Sequence, residues 1–492
     1  MRTFAAFAVV TIALVGLAVM LGEGESQAVP TAPTTPQPPN HPLPDINDDG
    51  PDRPEIPFAE LETAEGTALD IEARLSHAMV PTTRFDEVYA QVEIQATEEL
   101  PEARAPLNVS LVIDRSGSMR GDAMAQARDA ARTFVDALDS QDRVALVSFD
   151  NRSIVEVEST RVDEMGRQRL HRAIDAINAG GTTNISGGLR DGYQQVQKNN
   201  DPEMLNRVVL MTDGIPNVGI TTEDGLAAKT AEIRRNGVTV TALGFGTQYD
   251  ADLMAAMATE GAGNFRHIGD AADLELAFAD EISDLQKTVA SGVTLELEPA
   301  EGVEIERVYG FSSDEIEGGH RLSIGELQSE ARRSAVVKLS IDEGRADEER
   351  QLLDVRARYV DRLIGESVGH QLSTSADVVA SAAEARRSLD SGVMSRVEEL
   401  RTQESIREVI DLYASGDRQQ AERRLEREQE RIQRRRRHYA IPDDDKSAGR
   451  VDDAVQRIGS TVRNFDPFSE AARDSIAVEA EEAMISTQGR SK

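Results

Sequence analysis

Apolar positions in this chain change spacing several times, and each change marks a different kind of element. Between 66 and 98 the period is two. Leu69, Ile71, Ala73 and Leu75 alternate with polar residues, and so do Val88, Ala90, Val92 and Ile94. That alternation predicts two half-buried strands, which cannot make a stable sheet alone. From 105 to 290, strand-like stretches at 109–113, 144–149, 208–212 and 238–245, with a short one at 264–268, are separated by helical stretches. In the helix predicted over 122–138, Ala127, Ala130, Ala131, Phe134 and Leu138 share one stripe; 167–177, 185–196, 223–235, 251–260 and 272–285 are similar. Such alternation implies a parallel sheet covered on both faces. The interval from 149 to 208 has room for an edge hairpin and two helices. Beyond 290 the strand pattern returns at 293–297, 303–308, 321–324, 335–341, 352–359 and 367–373. The strands of 61–104 are therefore expected to pair with those of 291–375 as a β-sandwich. The segment 105–290 would be inserted into it, with its two ends close together.

The flanking segments read differently. Residues 376–440 are helical and charged, with two helices expected over 406–417 and 419–436, joined at Gly416. The basic run 434–437 reads as a solvated helix end, offset by neighbouring glutamates. The tail 441–492 is acidic and, from 443, low in apolar residues, so partial disorder is expected. At the other end, Met1-Arg2-Thr3 followed by an apolar run over 4–21 and Ser26-Gln27-Ala28 reads as a secretory signal over 1–28. An uncleaved anchor is the alternative, since about 18 apolar residues just span a bilayer. Either places the rest outside the cytoplasm: secreted, periplasmic or on the cell surface. Ten of the 18 prolines fall within the linker 29–60, a stiff spacer. Inside it, residues 45–50 (Asp-Ile-Asn-Asp-Asp-Gly) match the first half of a calcium loop. Position twelve is Ile56 rather than the required glutamate, so the segment reads as polar linker.

Charge and composition narrow the partners. Fifty-four basic against 88 acidic residues give a net charge of −34, which argues against nucleic acid or an anionic membrane surface. A membrane association would run only through an uncleaved N-terminal anchor. The absence of cysteine excludes disulfides, thiolate metal sites and thiol catalysis. It also makes a bacterial source the better fit for a secreted chain.

Candidate chemistry sits where apolar runs end in oxygen-bearing side chains. The run from Leu107 ends in Asp114-Arg115-Ser116-Gly117-Ser118, a carboxylate and two hydroxyls at alternate positions. The run from Val208 ends in Thr212-Asp213-Gly214, and Gly180-Gly181-Thr182-Thr183-Asn184 is a glycine-flanked loop with two more hydroxyls. Oxygen donors of this kind suit a hard divalent cation. The competing role for Asp114 is a helix N-cap. In open α/β sheets, groups at the carboxyl ends of strands face a common crevice.

Asp114, Ser116, Ser118, Thr183 and Asp213 together resemble the metal-ion-dependent adhesion site of von Willebrand factor type A (VWA) domains, over roughly residues 105–290. The resemblance implies an α/β fold: a doubly wound, Rossmann-like domain inserted into or flanked by the β-sandwich, followed by the helical segment. It also implies that Ser116, Ser118 and Thr183 touch the metal, while Asp114 and Asp213 act largely through water or hydrogen bonds. Thr183 is preferred to Thr182 because it immediately precedes Asn184, as in relatives carrying Gly-x-Thr-Asn. The cofactor expected is Mg²⁺, or Mn²⁺ or Ca²⁺. Three neutral hydroxyls leave it under-neutralised, with one position open for the carboxylate of a protein partner. The expected function is non-enzymatic: metal-dependent binding for adhesion or assembly. The alternative is a structural or regulatory subunit of an envelope complex linked to a MoxR-type AAA+ ATPase. Family members used as receptors move their last helix, here 272–285, when the metal loop rearranges.

Catalysis has little support. A phosphatase of the haloacid-dehalogenase type needs a second Asp two residues after Asp114, where Ser116 stands. None of the seven histidines belongs to His-Glu-x-x-His, and Gly-x-Ser-x-Gly is absent. His171 and His267 read as surface or core residues, and Asn108 starts a buried strand.

Overall fold

The computed structural model describes residues 68–245, 249–268, 281–345 and 348–467, and parts of 469–478. The expected signal over 1–28, the linker and its acidic loop at 45–50, and most of the helix expected over 272–285 lie outside these residues. Three strands come first: β1 (Leu69–Leu75), β2 (Met79–Pro81) and β3 (Phe85–Ala96). An alternating block follows. It runs β4 (Leu107–Asp114), α1 (Asp122–Asp136), β5 (Arg143–Phe149), β6 (Ser153–Arg161), α2 (Glu164–Ala176) and α3 (Ile185–Gln197). It continues with β7 (Leu205–Thr212), α4 (Glu223–Arg235), β8 (Thr239–Phe245), α5 (Ala251–Glu260), β9 (Ala262–Ile268) and a helical turn over 281–286. Then come β10 (Thr288–Pro299), β11 (Val303–Tyr309), β12 (Ser313–Ile316), β13 (Gly319–Gln328), β14 (Arg332–Ile341), β15 (Glu349–Asp361) and β16 (Glu366–Val379). Three long helices follow: α6 (Ser391–Ala414), α7 (Arg418–His438) and α8 (Lys446–Asn464).

The early and late strands form the two layers of a sandwich, ordered β1-β3-β14-β11 and β12-β13-β10-β15-β16-β2. β3 pairs antiparallel with β14, Val92 opposite Ala335 and Ala90 opposite Val337, so residues separated by more than two hundred positions share one layer. Leu69, Ile71, Val88, Val92 and Ile94 meet Leu295, Leu297, Val337, Val355 and Tyr359 in a single core. The alternating residues are the ones that go inside, because a strand's side chains point to opposite faces.

The block between β3 and β10 makes its own sheet, ordered β6-β5-β4-β7-β8-β9. Its pairings are parallel except for the edge strand β6, which folds back on β5. Every residue of β4 and of β7 is buried, as expected of central strands covered on both faces. The stripe Ala127, Ala130, Ala131, Phe134 and Leu138 packs on one face of this sheet. On the other, α3 approaches β4 so closely that a Cβ at Gly192 would stand 2.5 Å from Val112 Cγ2. Glycine there draws in the helix whose first turn lies beside Thr183.

One correction concerns the tail. The partial disorder expected over 441–492 does not hold at 446–464, which is α8. Few apolar residues suffice, because Val451, Val455, Ile458 and Val462 recur every three or four positions and pack on Ile406, Ile410, Tyr413 and Leu425 of α6 and α7. The first half of α6 instead buries Val393, Val397 and Leu400 against Tyr89, Tyr309 and Val336 of the sandwich. Among the described residues, no helix is long and apolar enough to cross a membrane.

The inserted block is pinned to the sandwich by a buried charge. Arg207 on β7 pairs with Glu281 of the 281–286 turn and with Glu326 on β13, and all three are buried. Its Nε also donates to Thr239 Oγ1 at 3.1 Å, while Thr241 Oγ1 and Asn264 Nδ2 donate to Glu281 at 3.0 and 3.1 Å. Arg207→Leu would leave two carboxylates facing each other without water, at a cost of about 3–5 kcal/mol. Urea unfolding at pH 7 should show that loss, whereas Arg84→Ala, which breaks an exposed pair with Asp86, should leave the unfolding midpoint nearly unchanged.

Candidate metal centre

The chain crosses from one side of the sheet to the other between β4 and β7, and the carboxyl ends of these neighbours open a crevice of the kind that holds ligands. Asp114 closes β4 and Asp213 directly follows β7. Asp114 is fully buried. Its Oδ1 accepts from the Ser116 N–H at 2.7 Å, and its Oδ2 accepts from the Thr212 hydroxyl. It is not a helix cap, since α1 begins after Gly121. Ser116 Oγ and Ser118 Oγ lie 3.0 Å apart, and Ser118 Oγ donates to Asp213 Oδ1 at 2.7 Å.

The third loop reaches the same place through glycines. Gly117 N–H donates to Gly181 O at 3.0 Å, and Gly180 N–H donates to Arg115 O at 2.7 Å. A Cβ at Gly214 would stand 3.1 Å from Thr183 Oγ1 and 3.5 Å from Ser118 Oγ. Glycine at 214 thus keeps open the space into which these two hydroxyls project. Thr183 is buried and Thr182 exposed. Asn184 caps α3, its Oδ1 accepting from the Gly187 N–H and the Ser186 hydroxyl, each at 2.9 Å. The structure therefore brings Asp114, Ser116, Ser118, Thr183 and Asp213 together.

Electrostatically the cluster is acidic and uncompensated. Arg115 turns away to pair with Asp150 at 2.9 Å, and among the described residues neither Asp114 nor Asp213 forms an ion pair. Burial pushes the Asp114 carboxyl up to about 6, opposed by the hydrogen bonds from Thr212 and Ser116 and reinforced by the charge of Asp213. Burial also raises Asp213, against the hydrogen bond from Ser118. Three hydroxyls and two carboxylates, all oxygen, fit a hard divalent cation, which would supply the missing positive charge. Among the described residues no three His, Asp or Glu side chains cluster as a metal site would need, so the hydroxyls are indispensable to any such centre.

The fold agrees with comparison to known proteins. Residues 108–280 match the von Willebrand factor type A domain family. The chain contains a VWA domain. It is similar to YfbK of Escherichia coli (strain K12), 28% identical over 268 residues, covering 51% of this chain and 46% of that protein. It is also similar to bovine inter-alpha-trypsin inhibitor heavy chain H4, 29% identical over 210 residues, covering 40% of this chain and 22% of that one. The chain thus spans less than half the length of these relatives. Among solved structures, a von Willebrand factor type A protein from Catenulispora acidiphila aligns with a TM-score of 0.66 at 18% identity, over 88% of this chain and 100% of that one. The ArnB paralog VWA2 from Sulfolobus acidocaldarius gives 0.62 at 16%, over 86% and 100%. Both likenesses extend well past the VWA domain, so they show the fold of the sandwich and helices as well.

Two supporting residues escaped the sequence reading. Thr212 has one visible signal, a lone hydroxyl ending an aliphatic strand. Asn217 has none: its Oδ1 accepts from Thr183 N–H at 2.9 Å, and its own N–H returns to Thr183 O at 3.0 Å. His171 and His267 lie outside the cluster, paired with Asp136 and with the Tyr249 hydroxyl.

The raised carboxyl of Asp114 gives a pH signature in EDTA. The folded state holds this proton more tightly than the unfolded chain, so the stabilising contribution is full below about pH 4 and lost as pH rises through about 6. A shift from 3.8 to about 6 corresponds to about 3 kcal/mol. Asp114→Asn should flatten that fall in denaturant titrations between pH 4 and 7, and Mg²⁺ should flatten it for the unaltered protein.

Proposed function

We propose that the VWA domain is a non-enzymatic, divalent-metal-dependent protein-binding module acting outside the cytoplasm, in adhesion or in assembly. The observation that carries this is the meeting of hydroxyls from two loops with two carboxylates that no side-chain cation neutralises among the described residues. Ser116, Ser118 and Thr183 would hold the ion, with Asp114 and Asp213 balancing its charge. A bound Mg²⁺, or Mn²⁺ or Ca²⁺, supplies a Lewis-acidic position that a partner's carboxylate can fill.

The chain's own groups prepare that position. Thr212 Oγ and the Ser116 N–H favour the ionised form of Asp114 against its burial. Asn217 holds the Thr183 loop by both its side chain and its backbone. Among the described residues neither serine has a histidine base as hydrogen-bond partner, which supports binding over turnover. The inter-alpha-trypsin inhibitor heavy chains, by name parts of a trypsin inhibitor, also point to a protein-binding role. The setting outside the cytoplasm rests on the apolar run over 4–21.

The test is binding of partner proteins from the envelope of the source organism, with Mg²⁺ or with chelator, by the unaltered protein and by Asp114→Ala. Capture should weaken about tenfold or more under either change. Capture indifferent to both refutes the reading.

A further inference from the structure

Two side chains on the rim of this centre have exposures that the fold itself does not explain. Arg120 lies in the turn between β4 and α1, and this turn is tied down. Met119 is fully buried, its N–H donates to Ser116 O at 3.3 Å, and its carbonyl accepts from the Met124 N–H at 2.9 Å. The Arg120 guanidinium nevertheless reaches over the loop that carries Thr183, with Nη2 at 3.9 Å from where a Cβ of Gly180 would stand. Among the described residues Arg120 makes no ion pair, although acidic residues outnumber basic ones 88 to 54 in this chain. Arg115, in the same turn, is paired with Asp150.

On the other lip, Ile215 follows Asp213 and Gly214 and is 57% exposed. A flexible loop could fold such a side chain away. This one cannot, because it is stapled on its far side. Pro216 is buried, Asn217 and Val218 donate to Thr183 O at 3.0 and 3.2 Å, and Ile220 N–H donates to Ser186 Oγ at 3.0 Å. An isoleucine held rigidly in water next to a ligand position loses apolar contact that a partner can restore.

We infer that Arg120 and Ile215 set the specificity of the centre, selecting a partner segment in which the metal-bound acidic residue is accompanied by a second acidic residue and an apolar one. The first carboxylate takes the open metal position, the second meets the Arg120 guanidinium, and the apolar side chain covers Ile215. Arg suits the second role because its planar fork pairs with a carboxylate in two parallel hydrogen bonds. This selection rests on the metal-dependent reading above, and the experiment separates the two.

The full chain is titrated in Mg²⁺ with three peptides displayed on a sensor surface: Gly-Ser-Asp-Ser-Gly, Gly-Ser-Asp-Asp-Ser-Gly and Gly-Ser-Asp-Asp-Leu-Gly. The added Asp of the second peptide, and the replacement of Ser by Leu in the third, should each tighten binding about threefold to fivefold, the size of an exposed ion pair or a partly covered aliphatic side chain. Arg120→Ala should bring the ratio between the second and first peptides to about one, with partial rescue by Arg120→Lys. Ile215→Ser should do the same for the ratio between the third and second. If the single-Asp peptide binds only with Mg²⁺ but the ratios are flat, or persist in the variants, the selectivity is overturned and the metal reading stands. If no peptide responds to Mg²⁺, both fall. Mg²⁺-dependent self-association without peptide binding would make the occupant a second copy of this chain and overturn the assignment to a separate partner.

Discussion

A fully buried carboxylate held only by neutral donors is the constraint around which the VWA domain is built. Asp114 ends a strand with neighbours on both sides and helices above and below, so water cannot solvate it. Taking an ionised carboxylate out of water is costly unless it is paired, and here two hydrogen bonds do the compensating. The same burial makes the position useful. Away from bulk water, the attraction of a cation to Asp114 and Asp213 is screened far less than at an exposed site. The close approach of α3, the Asn184 cap and the Asn217 clamp all bring a third hydroxyl to that charge without adding another charge of their own.

The sandwich and the VWA domain divide labour along one strand. Arg207, near the amino end of β7, joins the domain to β13 and to the 281–286 turn. Asp213 lies six residues further along the same strand direction, roughly 20 Å away at the rise of a β-strand. The anchored end and the binding end are thus opposite ends of a single rigid element. A partner bound at the proposed metal face would be connected to the sandwich through this paired strand. Helix α6 continues the sandwich's apolar surface at Tyr89, Tyr309 and Val336, and α7 and α8 pack on the second half of α6.

Most of the strands and helices, and all five candidate donors, were legible in the sequence because each rests on local order. Alternation revealed β1 and β3, continuous apolar runs revealed β4 and β7, and oxygen-bearing residues at their ends revealed the centre. What stayed hidden depends on partners distant in sequence. β2 has three residues and exists through parallel pairing with β16, while β12 has four and exists through β13; neither is long enough to show a period. Buried Arg207 and Glu326 look like ordinary surface charges until the sandwich closes around them. α8 was misread because composition averages over a face: its sparse apolar residues are sufficient once they fall on one stripe. Asn217 acts on Thr183 across 34 positions, a relation no spacing rule contains.

Net charge sets the last limit on how such a centre can work. A chain of −34 presents a repulsive field to the acidic partner it is proposed to bind. At physiological salt that field fades over about 8 Å, so repulsion governs approach more than it governs the bound state. Two carboxylates and one divalent cation also sum to zero, and therefore attract nothing from afar. The contact must be made at short range, by direct coordination and by whatever positive and apolar groups stand at the rim. Neutral hydroxyls are then the better ligands than further carboxylates. They satisfy the ion's need for oxygen while leaving its charge available to the incoming group, which an all-carboxylate site would have spent on itself.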